Sequence, residues 1–277
     1  METLLQVENL NVTFRTEDEI IYAAREVSFS VGRGRTLGIV GESGSGKSAS
    51  CQAIMGLTPG NGVTQADRIV FDGTDINTLA ESKLEKIRGR DMAMVFQDPM
   101  TSLNPVHTIG RQIAESLRLH RGMNREAARV EAQNLLDLVG IPEPVQRLKE
   151  YPHQLSGGMC QRAMIAMALA CRPSLLFADE PTTALDVTVQ AQILDLMKRL
   201  QGEFGMSIVL VTHDLGVIAE MADDVTVMRY GQVVEAGPVG RIFGNPQHEY
   251  TRELLDRIPR LDRPSPVYEP PSREQVA

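Results

Sequence analysis

The stretch Thr36-Leu37-Gly38-Ile39-Val40-Gly41-Glu42-Ser43-Gly44-Ser45-Gly46-Lys47-Ser48 decides how the rest of the chain is read. Its first five residues form a short apolar run that gives way to glycine, as a buried parallel strand does. The following eight fit the pattern G-x-x-x-x-G-K-[S/T]. Ala49 to Met55 then reads as a helix, so the motif sits between strand and helix, the context it requires. Glycines let backbone N–H groups turn inward around phosphate oxygens, and the following helix N-terminus adds partial positive charge. In that setting Gly41, Glu42, Ser43, Gly44, Ser45 and Gly46 form the cradle. Lys47 bridges phosphates, and Ser48 is placed to ligate a magnesium ion.

A phosphate loop needs an acid to hold the metal. Leu175-Leu176-Phe177-Ala178-Asp179-Glu180 supplies one at the end of an apolar strand, where ligands gather in open α/β sheets. Asp179 is positioned to bind Mg²⁺ through water, and Glu180 to take a proton from an attacking water.

Around these two landmarks the chain alternates strands and helices. Leu4–Phe14 and Ile20–Val31 read as strands separated by the charged residues 15–19, and Ile69–Phe71 as another. Ala128, Ala132, Leu135, Leu136 and Val139 make one apolar helical stripe that Gly140, Pro142 and Pro144 terminate. Val189, Ile193, Leu196 and Leu200 make a second, followed by the strand Ile208–Val211. Alternation of this kind implies a parallel sheet covered on both faces. Beyond residue 262 the prolines at 264, 266, 270 and 271 mark a tail expected to be extended or mobile.

Composition narrows the function classes. The net charge is -8 with no long basic run, which argues against a nucleic-acid partner, since phosphate neutralisation needs clustered Lys and Arg. No apolar run approaches the ~18–20 residues that cross a bilayer, and no basic-then-apolar leader opens the sequence. A cytoplasmic protein is expected, reaching any membrane through a partner. Cys51, Cys160 and Cys171 lack paired C-x-x-C spacing and read as reduced thiols.

Leu155-Ser156-Gly157-Gly158-Met159, a short way before the Asp179 strand, resembles the signature motif of ABC ATPases. By itself it also reads as a turn capping a helix that begins near Cys160. The remaining motifs of that family follow in order. Gln97, ending Met94-Val95-Phe96, matches its Q-loop; Thr183-Ala184-Leu185-Asp186 matches its D-loop; His213 matches its switch histidine. Phe14 stands where relatives stack an aromatic ring on adenine, with Tyr22 the other candidate.

The resemblance covers about residues 4–262, and finer features are similar to the oligopeptide/dipeptide importer subfamily, which also includes nickel and glutathione importers. These are Gln97-Asp98-Pro99-Met100-Thr101-Ser102-Leu103-Asn104-Pro105, the run from Asp179 to Gln190, and His248-Glu249-Tyr250-Thr251-Arg252-Glu253-Leu254-Leu255. Glu249 stands where the subfamily commonly has Pro, and Met159 where the commonest signature has Gln.

The resemblance implies an α/β fold: a P-loop NTPase core with a parallel sheet, an N-terminal antiparallel β subdomain and a helical subdomain of about residues 98–172. Residues 1–262 would form the ABC ATPase domain, leaving 263–277 as the tail. It implies ATP and Mg²⁺, with Ser48, Gln97 and Asp179 around the metal and Glu180, His213, Gln97 and Lys47 in catalysis. Ser156, Gly157, Gly158 and Asp186 would serve the nucleotide across a head-to-tail dimer. Expected partners are two membrane-spanning permease subunits, a substrate-binding protein and a second, non-identical ATPase. The expected place is the cytoplasmic face of the bacterial inner membrane. Peptide import is the leading function; nickel or glutathione import, an exporter ATPase and a soluble ABC ATPase are the alternatives. Glu180 and His213 together oppose a non-hydrolysing scaffold. Three cysteines are one ligand short of an iron–sulfur cluster, so none is expected.

Overall fold

The computed structural model describes residues 2–183 and 185–257. The expected tail 263–277 and the last residues of the expected ATPase domain, 258–262, lie outside them.

The chain opens with a long antiparallel pair, β1 (Thr3–Arg15) and β2 (Ile20–Gly32). Leu5 and Val7 are buried, and so are Leu10 and Val12, although strict alternation would turn the second pair outward. The pairing shifts register between Val7 and Leu10, where Asn9 adopts φ 50°, and this bulge re-phases the strand so that both pairs face inward. β3 (Thr36–Val40) then runs into α1 (Lys47–Ile54), two residues earlier than the expected helix start. β4 (Gly62–Gln65), β5 (Arg68–Phe71) and β6 (Thr74–Asp75) complete the antiparallel sheet on β1.

After α2 (Glu81–Ile87) and β7 (Met92–Val95) comes a run of helices: α3 (Pro99–Ser102), α4 (Ile109–Arg121), α5 (Arg125–Leu138), α6 (Pro144–Arg147) and α7 (Gly157–Leu169). The stripe on α5 is buried at Ala128, Ala132, Leu135, Leu136 and Val139. Burial of each leucine contributes about 1.5–3 kcal/mol. The Asn124 side chain capping Ala127 N–H contributes about 1 kcal/mol. Packing therefore outweighs capping in holding this helix. α7 begins at Gly157, three residues before the expected start, because Ser156 caps it.

β8 (Leu175–Asp179), α8 (Val187–Phe204), β9 (Ser207–Thr212), α9 (Leu215–Met221), β10 (Asp224–Arg229), β11 (Gln232–Pro238), α10 (Val239–Gly244) and α11 (Glu249–Asp256) finish the described chain. The second sheet has the order β11-β10-β3-β9-β8-β7, parallel throughout except for β11. Every residue of β3, β7, β8 and β9 is buried, as strands covered on both faces must be. One face packs on α4, α5, α7 and α8, and the other on α1 and the antiparallel sheet. A third cluster at the β10 edge joins Val40, Val227, Ile242 and Tyr250. Among the described residues no helix is long and apolar enough to cross a membrane.

The strand order carries the functional consequence. β3, β9, β8 and β7 are adjacent and parallel, so the loops leaving their C-terminal ends share one edge. Those loops begin at Gly41, His213, Glu180 and Phe96.

Glu235 on β11 anchors the last helix: its carboxylate accepts from Gln247 N–H at 2.9 Å and His248 N–H at 3.0 Å. Burial pushes this carboxyl up, but the two backbone bonds, the nearby Thr251 hydroxyl and the Arg241 charge together outweigh it and leave it below the ordinary 4.5. The folded value is thus depressed. Its stabilisation is complete above the unfolded value and is lost as pH falls through the folded one. We predict that Glu235→Gln lowers stability by about 1.5–3 kcal/mol at pH 7. In denaturant titrations that difference should shrink steadily as pH falls below the ordinary glutamate value of 4.5.

Candidate functional site

Two glycines of the loop after β3, Gly41 and Gly46, leave no room for a side chain. A side chain at Gly41 would meet the Met228 carbonyl oxygen at 2.2 Å. Gly46 has φ 94° and would place a side chain 2.0 Å from the Ala23 carbonyl oxygen. The loop is therefore wedged between β10 and β2 before α1 begins. The buried Ser45 hydroxyl, at the loop's centre, has no hydrogen-bond partner.

Lys47 is buried and folds back on the loop, donating to Gly41 O at 2.7 Å and Glu42 O at 2.9 Å. Burial lowers its pKa, opposed by the charges of Glu180 and Asp179. Two of its three N–H donors are used by these carbonyls. The Ser48 hydroxyl donates to Asp179 Oδ1 at 2.7 Å. Burial pushes Asp179 above its ordinary value of 3.8; the Ser48 bond opposes this, and the Glu180 charge adds to it.

Glu180 is the centre of the arrangement. It stands in the left-handed region at φ 44°, which costs a non-glycine residue about 1–2 kcal/mol. Its N–H donates to Val211 O at 2.8 Å on the neighbouring strand β9. Its Oε2 accepts from Gln97 Nε2 at 3.0 Å and Thr183 Oγ1 at 2.8 Å. Its Oε1 lies 3.1 Å from His213 Nδ1. An ionised carboxylate only accepts, so this contact requires the proton on Nδ1. Burial pushes Glu180 up, but the bonds from His213 and Thr183, with the His213 and Lys47 charges, outweigh it and leave the carboxyl below its ordinary value. Glu180 is thus an ionised acceptor at neutral pH. Donors carried by the loops after β7, β8 and β9 thus converge on this one side chain.

Lys47, Ser48, Asp179, Glu180, Gln97 and His213 are accordingly linked through hydrogen bonds and charges. The other expected residues stand apart. Ser156 and Gly157 are exposed; Ser156 Oγ accepts from Met159 N–H at 3.3 Å and so caps α7. A side chain at Gly158 would meet Val189 of α8 at 3.0 Å. Asp186 caps α8 by accepting from Val189 N–H at 3.0 Å. Phe14 is half-buried beside Gly62, whereas Tyr22 is exposed with the Arg25 guanidinium 4.7 Å from its ring centre. Both aromatic rings lie on the hairpin that touches Gly46 through Ala23.

The residues present fit a magnesium nucleotide. Ser48, Asp179 and the Gln97 amide offer oxygen donors of the hard type that Mg²⁺ prefers. Gln97 uses its amide nitrogen on Glu180, which leaves its carbonyl oxygen free for such a role. The partnerless Ser45 hydroxyl and the loop's glycine backbone provide the donors that phosphate needs.

The sequence reading missed Thr183 as a partner of Glu180. The signal was present, because a threonine three residues after an acid in a turn is in reach of it; the Thr183 N–H also donates to Glu180 O at 3.1 Å. It also missed two contacts from the last helix. Glu42 N–H donates to Tyr250 Oη at 3.1 Å, and Arg257 pairs with Glu42 at 2.5 Å. No local pattern signals partners so far apart along the chain.

Comparison with known proteins identifies the family. The ABC transporter family model matches residues 24–183, more than half the chain. The glutathione import ATP-binding protein GsiA of Escherichia coli is 55% identical over 264 residues, covering 93% of this chain and 42% of that protein. The same protein of Shigella dysenteriae serotype 1 (strain Sd197) shows the same identity and coverage. The chain therefore spans less than half the length of these relatives. Among solved structures, the ATP-binding cassette MJ0796, a dimer in a post-hydrolysis state with ADP and Pi, superposes with a TM-score of 0.75 at 32% identity. It covers 85% of this chain and 98% of its own. The cbiO1 protein of Clostridium perfringens, part of the ABC transporter complex cbiONQ, gives 0.72 at 27% identity over 93% of this chain and 96% of its own. A phosphate loop, an acid pair at the next strand but one, and a matching cassette fold converge: the chain belongs to the ABC transporter family.

Proposed function

We propose that this chain is the ATP-hydrolysing subunit of a bacterial importer. It binds magnesium ATP at its phosphate loop and powers uptake of peptides, glutathione included, from the cytoplasmic face of the inner membrane. The observation that carries the reading is Glu180, an ionised carboxylate held by Gln97, Thr183 and His213 at the edge where the Lys47 loop also emerges. The relatives named for glutathione import support the cargo class, because glutathione is itself a tripeptide. Nickel import and export would use the same catalytic residues, and a transport assay separates them.

Each residue has a task in this mechanism. Lys47 brings positive charge to the phosphates without side-chain reorganisation, since its own loop already orients it. Ser48, Asp179 and Gln97 would hold magnesium, which when bound supplies neutralisation of phosphate charge. Glu180 accepts a proton from water, its carboxylate oriented by Gln97 and Thr183 at Oε2 and by His213 at Oε1. Gln97 also lies on the loop leading to α3–α7, which we assign as the helical subdomain of about residues 98–172 within an ATPase domain of residues 1–262. A shift at Glu180 would pass through Gln97 to those helices. Ser156, exposed and remote from the local cluster, is assigned to the nucleotide of a second ATPase subunit, with Gly157, Gly158 and Asp186. The dimeric state of the related cassette supports this arrangement. Two permease subunits, a substrate-binding protein and a non-identical second ATPase complete the proposed assembly.

Two outcomes are expected. Glu180→Gln keeps the shape and loses the base, so it should bind ATP with wild-type affinity while turnover falls about a hundredfold or more. Turnover in the assembled transporter close to wild type removes Glu180 from the base role. Ser156→Ala should cost about 1 kcal/mol of α7 capping and leave nucleotide affinity of the isolated chain unchanged. In the complex it should damage turnover severely. A collapse of isolated-chain affinity, with melting otherwise normal, contradicts a site completed by the partner.

A further inference from the structure

The Gly41–Glu42 peptide is held at both ends. Its N–H donates to Tyr250 Oη at 3.1 Å, and its C=O accepts from Lys47 Nζ at 2.7 Å. The two groups belong to one rigid plane, so neither turns without the other. We propose that Tyr250 is a positioning residue of the phosphate loop. Its hydroxyl fixes this peptide, and the peptide's carbonyl fixes Lys47.

Tyr250 suits that task because it is itself immobile. Its side chain is 1% exposed and packs with Val40, Val227 and Ile242, while the Arg229 guanidinium lies 4.4 Å from the ring centre. The start of its helix is tied to β11 by Glu235 through the N–H groups of Gln247 and His248. His248 caps the helix, its Nδ1 accepting from Tyr250 N–H at 3.1 Å. A chain of fixed contacts thus runs from β11 through α11 to the loop.

The loop needs such a tie on this side. An open cleft of about 440 Å³ lies between it, the start of α9 at Asp214–Gly216, and α11, lined also by Gly41, Glu42, Ser43, Leu254 and Arg257. Loop and helix are therefore not packed together there, and two contacts span the gap. The second, Arg257 to the Glu42 carboxylate, has side chains 64% and 49% exposed. An ion pair open to solvent contributes little. The buried tyrosine bond dominates. Removing its acceptor leaves the Glu42 N–H to find water by rotation of the peptide, and that rotation withdraws one of the two carbonyls on Lys47.

The inference rests on the nucleotide reading of the loop for its consequence, but its geometry is testable without nucleotide. The chain has five lysines, and Lys83, Lys86, Lys149 and Lys198 are all exposed. In a brief acylation of the nucleotide-free full chain, read by mass spectrometry, these four serve as internal references for buried Lys47. Tyr250→Phe should make Lys47 react about fivefold faster relative to them, the ratio set by loss of one hydrogen bond. Arg257→Ala should change it less than about twofold. ATP affinity of Tyr250→Phe should weaken about tenfold, and in the assembled transporter KM should rise by more than kcat falls. Leu136→Ala, a core change far from the loop, lowers melting without altering Lys47 labelling, which separates positioning from general destabilisation. Unchanged Lys47 labelling in Tyr250→Phe overturns the proposal, as does equal acceleration in Leu136→Ala. Lys47→Ala judges the nucleotide reading separately: if that variant binds ATP like wild type, the functional reading fails while the labelling still decides the role of Tyr250.

Discussion

A buried ammonium group must find acceptors, and the structure around Lys47 is organised by that requirement. Leaving such a charge unpaired in the interior costs several kcal/mol, more than any single nearby contact supplies. Two loop carbonyls meet it directly, and Asp179 and Glu180 add opposite charge. For the carbonyls to point inward the loop must double back on itself. This in turn demands the positive φ at Gly44 and Gly46 and the close approach of Gly41 to Met228. One cation thus dictates the backbone of the segment that holds it.

The same requirement explains why the two acids behave differently. Asp179 has one side-chain donor, Ser48, and burial keeps its carboxyl above the ordinary range. Glu180 has donors from Gln97, Thr183 and His213; the bonds from His213 and Thr183, with the His213 and Lys47 charges, overcome burial and keep it ionised. Adjacent residues on one strand end therefore receive opposite perturbations.

Sheet topology makes this division possible. Because β3, β9, β8 and β7 are consecutive and parallel, four loops from distant parts of the chain leave the same edge. The backbone bond from Glu180 N–H to Val211 O ties the acid to the strand that delivers His213. On the other side, α11 reaches the Gly41–Ser48 loop from the β10 edge, so that loop is bounded by elements distant along the chain.

Much of this was legible in the residues themselves. The apolar run Thr36–Val40 leading into Gly41–Ser48, the acids after Leu175–Ala178, and the periodic stripes on α5 and α8 are local signals. Strand burial, loop glycines and helix faces are set by neighbours a few positions away. Helix starts differ at Gly157, where the Ser156 side chain caps α7, and at Lys47, where α1 begins directly after Gly46 at φ 94°. Strand β10 went unread: Asp224–Arg229 is short and mixes Thr and Met with Val, and its central residues are buried only because β3 and β11 flank it. The contacts of Thr183, Tyr250 and Arg257 were likewise decided by tertiary structure. A hydrogen bond between Glu42 and Tyr250 spans more than two hundred residues, and no periodicity encodes it. Sequence by itself determined which chemistry the chain carries, because that depends on residue types at short spacing. Only the folded sheet decided which groups hold Glu180 and Lys47 in place, because those contacts exist solely where distant strand ends and the last helix meet.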